Sequence, residues 1–282
     1  MELWFTENHT PNVRFGVKIK EHLISTESDF QKIDIFDTYE FGKMLTIDGL
    51  IMVTEKDEFV YHEMIVHVPM ASNPNIKRVL VVGGGDGGTV RELTRYPHIE
   101  QIDMVEIDQK VVEVCQTFIP QTASKLKDTR VTLYFEDGIQ FIKKMDQAYD
   151  LIIIDSTDPI GPGEGLFTES FYKDCYAALT EEGIMINQNE SPYYEKERRE
   201  LVRANKKIKN VFPIVSIYQF FMTTYPSGHW LFGFNSKSIN PLNNNIDLWN
   251  QQGIQTKYYN TDLHKGSFML PNYVKEMIRD DE

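Results

Sequence analysis

The chain has 282 residues, 41% hydrophobic and 25% charged, with 29 basic against 42 acidic side chains and a formal net charge of −13. That length carries one large core or a core plus a smaller domain, and the acidic balance excludes the basic stripe that nucleic-acid phosphates require, while suiting either a solvated surface or the steering of small cationic substrates. Two cysteines, Cys115 and Cys175, exclude a disulfide framework and a thiolate metal site, and without a secretory N-terminal pattern or an apolar run near 18 residues the expected setting is the cytoplasm, with no membrane contact.

Residues 1–56 read as a small antiparallel β domain. Val13–Ser25 and Phe30–Asp37 mix β-branched and aromatic residues with polar ones, and the runs Lys32–Phe36, Lys43–Ile47 and Leu50–Thr54 are separated by turn signals, of which Asp48-Gly49 is the strongest. Its sheet edge or face could serve an oligomer contact. From Glu58 the period becomes helical, with Phe59, His62, Ile65 and Val66 in phase and Pro69 and Asn73-Pro74 expected to end the helix. Residues 57–282 then read as one α/β domain. Apolar strands at 79–82, 101–107, 131–135, 150–154 and 183–187 alternate with helices, which predicts a Rossmann-like, mostly parallel sheet. Two strands around Thr223–Gly228 close it as an antiparallel C-terminal hairpin. Residues 236–265 carry little pattern beyond a short helix at Leu248-Trp249, and a helix is expected after Pro271.

The chain is organised around Arg78–Leu93, a buried strand that breaks into five glycines around Asp86 before a helix begins. Gly83, Gly85 and Gly88 have the spacing of a dinucleotide fingerprint. A carboxylate in that loop repels pyrophosphate and suits a ligand with a cationic end. In a parallel sheet, ligands bind beyond the carboxyl ends of the strands. Acids recur there: Asp86, then Glu106 and Asp108, Asp137 with Gly138, and Asp155 with Asp158. Any one of them alone reads as a solvated loop acid. Together, Glu106 at ribose-acid spacing and Asp137 beside an adenine position describe an adenosine, and Asp86 favours an S-adenosyl sulfonium compound over a dinucleotide. Asp155 and Asp158 suit an alkylammonium substrate whose free amine attacks a carbon next to sulfur. A divalent metal on this pair is the weaker alternative, since no third ligand stands at suitable spacing. Tyr61 reads either as a core aromatic or as a residue placed in the cleft.

The strings Gly83–Glu92, Val105-Glu-Ile-Asp108, Glu136-Asp-Gly138, Asp155–Pro162 and Thr224-Tyr-Pro-Ser-Gly228 closely resemble the polyamine aminopropyltransferases, and among them the spermidine synthase group. Phe41–Gly49 and Glu58–Met64 extend the likeness into the first domain. The resemblance implies transfer of an aminopropyl group from decarboxylated S-adenosylmethionine to an amine, usually putrescine. It implies release of 5'-methylthioadenosine, no metal or separate cofactor, and a homodimer or homotetramer built through the N-terminal domain. It assigns Gln31, Gly83, Gly85, Asp86, Glu106, Asp137 and Gly138 to the donor. It gives Asp155 the part of catalytic acid, and places Tyr61, His62, Asp158 and Tyr225 around donor or acceptor amines, with residues 155–165 as a gatekeeping loop. The chain departs from the family's pattern at Met222-Thr223, and Asn189–Tyr194 shapes the acceptor pocket. Cadaverine, agmatine and spermidine therefore remain open as acceptors, as does N-methylation of an amine. A nicotinamide-dependent oxidoreductase and a non-catalytic polyamine or nucleoside sensor are the readings from other classes.

Overall fold

The computed structural model describes residues 2–156 and 161–279. Two sheets organise them. The first is antiparallel, in the order β1 (Leu3–Thr10), β2 (Val13–Glu27), β3 (Lys32–Thr38), β4 (Lys43–Ile47) and β5 (Leu50–Thr54). The turn between β4 and β5 holds Asp48 at φ 50° and Gly49 at φ 81°, the doubly positive backbone that this dipeptide tolerates. β2 is 15 residues long and shifts register on β3 at Ile19/Glu21 and His22/Ile24, so it bends as it passes from β1 to β3. β1 carries the buried Glu7.

Helix α1 (Glu58–Ser72) joins the sheets and is buried at every position but Phe59. The helix is therefore a central one, and its polar residues Glu58, His62, Glu63 and His67 must all find partners inside. Pro69 does not end it. The helix continues to Ser72, and the N–H of Asn73 still donates to the carbonyl of Pro69 at 3.0 Å, because a single lost donor is outweighed by packing on all sides.

The second sheet follows with strands and helices mostly alternating: β6 (Arg78–Gly83), α2 (Gly88–Thr94), β7 (Gln101–Val105), α3 (Gln109–Phe118), α4 (Pro120–Ala123), β8 (Val131–Tyr134), α5 (Gly138–Ile142), β9 (Tyr149–Asp155), α6 (Glu169–Ala178), β10 (Leu179–Gln188), α7 (Glu195–Lys209), β11 (Ile214–Phe221) and β12 (His229–Ser236). Seven strands lie in the order β11-β12-β10-β9-β6-β7-β8, parallel except for β12 against β10 and β11 against β12. The sheet grows from β6 first through β7 and β8, then on the other side through β9 and β10. The connections leaving β6 and β9 therefore diverge, and the crevice they leave is where an α/β sheet binds ligands. Gly83 pairs with Asp155 across that point.

Residues 236–265, nearly blank as a pattern, fold against α1. Glu63 accepts backbone N–H bonds from Lys257, Tyr258 and Tyr259 at 2.7–2.8 Å, and Trp249 donates to the Tyr96 hydroxyl at 2.8 Å. α8 (Thr261–Ser267) and α9 (Asn272–Arg279) complete the chain as described. Among the described residues no helix is long and apolar enough to cross a membrane, and both cysteines are buried free thiols.

Candidate active site

A cavity of about 480 Å³ opens where β6 and β9 part, and extends from the glycine loop to the N-terminal sheet. Its centre is Asp155. The Tyr61 hydroxyl donates to one carboxylate oxygen at 2.7 Å and the Thr89 hydroxyl to the other at 2.6 Å. Burial, and then the charge of Asp86, raise the Asp155 pKa above the ordinary carboxylate value, against the charge of His62 and the two hydroxyls. Tyr61 is itself fixed, edge-on to Phe232 at 5.0 Å and to Phe220 at 5.8 Å.

The glycines make room for the chain's own groups. Gly83, at φ 86°, receives Asp155 so closely that a Cβ there would lie 2.2 Å from its carbonyl oxygen. At Gly88 a Cβ would lie 2.2–2.4 Å from the ring atoms of His62. The space freed at Gly88 is filled by a buried chain of charges. His62 contacts Glu58 through Nδ1 at 2.6 Å and Asp86 through Nε2 at 3.2 Å, and Glu58 receives both terminal nitrogens of Arg91 at 2.8 and 2.9 Å. Asp86 also accepts the N–H of Gly88 at 2.9 Å. His62, expected from the resemblance to touch an amine directly, has both ring nitrogens engaged by carboxylates. It lines the cavity beside Asp86 and holds that carboxylate.

Burial works against a charged His62, but Asp86 and Glu58 outweigh it and push its pKa up to about 10. Its contribution to stability is complete below its ordinary 6.5 and is lost as pH rises toward about 10. Thermal unfolding should move to lower temperature across that window, and His62→Gln should remove most of the slope. A wild-type Tm that stays level over the same range would show that no imidazolium is held there.

The cavity is also lined by Gln31, Gly85, Glu106, Asp137 and Gly138. Glu106 accepts the N–H of Asp108 at 2.9 Å, and burial, with Asp108 and Asp155 nearby, raises its pKa to about 7 against the N–H groups of Asp108 and Gly85. Gly85 leaves space for that carboxylate, since a Cβ would stand 2.9 Å from it. Gln31 reaches across from the first sheet. Its Nε2 donates to Asp108 at 2.9 Å, where Ser28 also donates at 2.7 Å, so Asp108 ties the two domains together at the cavity mouth. Asp137 caps α5 through the N–H of Ile139 at 2.8 Å, and Gly138 packs on Val82.

The ring of Tyr225 faces Tyr61 at 6.3 Å and Trp230 at 5.0 Å, and its hydroxyl donates to the carbonyl of Met52 at 2.7 Å. Asp158, also expected near the acceptor, lies outside the described residues, as does part of the expected gatekeeping loop. Its later part, Gly161–Phe167, is 3-10 helical. Sequence reasoning missed Gln188, Trp230, Glu7 and His9, all of which line the cavity. The Oε1 of Gln188 is buried without a hydrogen-bond partner, and so is poised to accept from a ligand. Gln188 ends a parallel strand, so the rule that found the acids could have found it. Glu7 and His9 arrive from β1, and no local signal marks them.

Residues 58–246 match the spermine/spermidine synthase domain, and residues 3–55 the spermidine synthase tetramerisation domain. A polyamine aminopropyltransferase of Clostridium perfringens strain SM101 is 65% identical, over 99% of this chain and 98% of its own. One of Alkaliphilus oremlandii is 61% identical over the whole of both chains. Among solved structures, a spermidine synthase in complex with the transition-state analogue AdoDATO superposes with a TM-score of 0.95 at 42% identity, covering 98% of this chain and 95% of that one. The spermidine synthase of Thermotoga maritima superposes with a TM-score of 0.93 at 41% identity, covering 98% and 94%.

Proposed function

We propose, since the chain belongs to the spermine/spermidine synthase family and is an aminopropyltransferase, that it transfers the aminopropyl group of decarboxylated S-adenosylmethionine to putrescine, giving spermidine and 5'-methylthioadenosine. The observation that carries the reading is the placement of Asp86 and Asp155 on either side of the strand switch, at the middle of one cavity whose two ends differ in chemistry. Glu106 and Asp137 offer carboxylate oxygens to ribose and adenine at one end. Gln188 offers an acceptor to an ammonium at the other.

In this reading Asp86, held by His62 and the Gly88 N–H, binds the donor's terminal amine. The neutral nitrogen of putrescine attacks the methylene carbon next to the sulfonium, the carbon–sulfur bond breaks, and its electron pair neutralises sulfur. The displaced proton passes from nitrogen to Asp155, whose raised pKa brings it closer to the working pH of a proton acceptor. Tyr61 and Thr89 hold its two oxygens in place. The sulfonium is the activated group, so the reaction requires neither metal nor separate cofactor. Residues 3–55 carry assembly into a dimer or tetramer, with the exposed Leu3, Trp4 and Tyr39 of the first sheet as apolar surface for that contact.

Purified protein given putrescine and decarboxylated S-adenosylmethionine should yield spermidine and methylthioadenosine. Equal or better turnover with cadaverine, agmatine or spermidine would displace putrescine as the acceptor. No product from any amine would sink aminopropyl transfer.

A further inference from the structure

We propose that His9 sets the length of the acceptor amine by filling, with its own positive charge, the seat that the terminal ammonium of a triamine would need. The inference rests on the aminopropyl-transfer reading and adds to it a residue that discriminates between acceptors.

The wall can be followed residue by residue from the reacting centre. Asp155 holds the Tyr61 hydroxyl at 2.7 Å, Tyr61 faces Tyr225, and the Tyr225 hydroxyl bonds Met52 on β5 at 2.7 Å. The next residue on β5, Ile51, donates its N–H to Glu7 at 2.9 Å, and Glu7 stands 3.4 Å from Nδ1 of His9. On the other side, Nε2 of His9 lies 2.7 Å from Glu197, in the first turn of α7. His9 is thus the last cavity-lining group along this wall, held between two carboxylates from different domains.

The seat is made for a cation. Burial opposes protonation of His9, but Glu197 and Glu7 outweigh it and bring its pKa up to about 9. The ring of Tyr194 closes the site edge-on, with centroids 4.5 Å apart. The contact, to Oε1 of Glu197, is close but not aligned as a hydrogen bond, for Nε2 of His9 is buried without a hydrogen-bond partner. What the two acids obtain from His9 is therefore a point charge more than a directed donor, and an alkylammonium supplies the same.

On this proposal a diamine that reaches Asp155 with one nitrogen stops before this seat. A triamine is longer by three methylenes and a second cationic nitrogen, which would be driven against the imidazolium, and like charges in direct contact are strongly disfavoured. With His9 removed, Glu7 and Glu197 become an unpaired acid pair at the end of a longer cavity. The chemistry is unchanged: the primary amine of the triamine attacks the same methylene, the carbon–sulfur bond breaks, and the proton goes to Asp155.

The test measures kcat/KM for putrescine and for spermidine, with decarboxylated S-adenosylmethionine as donor, in the full-length wild type and in His9→Ala, His9→Gln and His9→Lys. His9→Ala should raise the spermidine-to-putrescine ratio by about tenfold or more, and His9→Gln, which removes the charge but keeps much of the volume, should raise it less. His9→Lys, which keeps the charge, should preserve the wild-type preference. Methylthioadenosine binding and a cooperative melt identify folded variants, and His9→Gln carries the test if His9→Ala does not fold. An unchanged ratio in the folded neutral variants, or a wild type that already prefers spermidine, overturns the proposal. Absence of turnover in the wild type with either amine would overturn the proposal too, and would overturn aminopropyl transfer itself if cadaverine and agmatine also give no product.

Discussion

Asp155→Asn should lower turnover by roughly 10²-fold or more while methylthioadenosine still binds. An amine with an ordinary pKa of roughly 10.4 is almost entirely protonated at pH 7, and presenting it neutral costs about 4–5 kcal/mol. A carboxylate beside the reacting nitrogen lowers that cost by taking the proton as the bond forms. Asparagine has nearly the same shape and still presents one oxygen to Tyr61 or Thr89, so the cavity should keep its form. It cannot accept the proton. The expected signature is a fall in kcat with little change in product affinity. Turnover within a few-fold of wild type would remove Asp155 from the chemistry and leave it a structural anchor for Tyr61 and Thr89.

Glu58→Ala should destabilise the fold by roughly 3–5 kcal/mol and lower Tm by about 10 °C or more. Glu58 is 2% exposed and is the shared counter-charge of His62 and Arg91, with Gln121 donating as well at 2.9 Å. Its removal leaves two cations facing one another in the interior, and deprives Asp86 of the partner that keeps His62 in place. Although burial works against its ionisation, His62 and Arg91 hold the Glu58 carboxyl far below the ordinary range. The stabilisation it contributes is therefore present above the unfolded carboxyl value of 4.5 and is lost as pH falls toward the folded value. Calorimetry of the wild type and of Glu58→Ala and Glu58→Gln from pH 7 down to pH 3 checks both statements. A Glu58→Ala melt within about 2 °C of wild type would show that the charge chain carries little of the stability.

Much of this site was legible in the chain. A parallel sheet places its loops by a topological rule, so acids that follow successive apolar strands converge whether or not they are near in sequence. Asp86, Glu106, Asp137 and Asp155 were found in that way, and the cavity gathers all four. The readings that required correction concern helix α1. Pro69 and Asn73-Pro74 were expected to end it; the helix passes Pro69 and stops at Ser72 with Asn73 as its cap, and sheet, glycine loop and C-terminal segment surround it on every side. Periodicity reports the solvent boundary, and a helix without one has no face to report. The resemblance gave His62 as an amine contact, and His62 lines the cavity; which groups surround its ring depended on Glu58 one turn earlier and on the space left by Gly88.

The sequence by itself determined the order of elements, the glycine turn and the acids at the strand ends, because these follow from local periodicity, turn chemistry and the fixed handedness of a parallel sheet. Only the tertiary structure decided which groups fill the space beside the glycines, how Glu63 fastens the featureless C-terminal segment to α1, and that Glu7 and His9 of the first strand line the same cavity as Asp155. Those contacts join residues far apart in the chain through burial and charge pairing. Neither leaves a period or a spacing in the sequence, since each depends on where two separately folded elements come to rest.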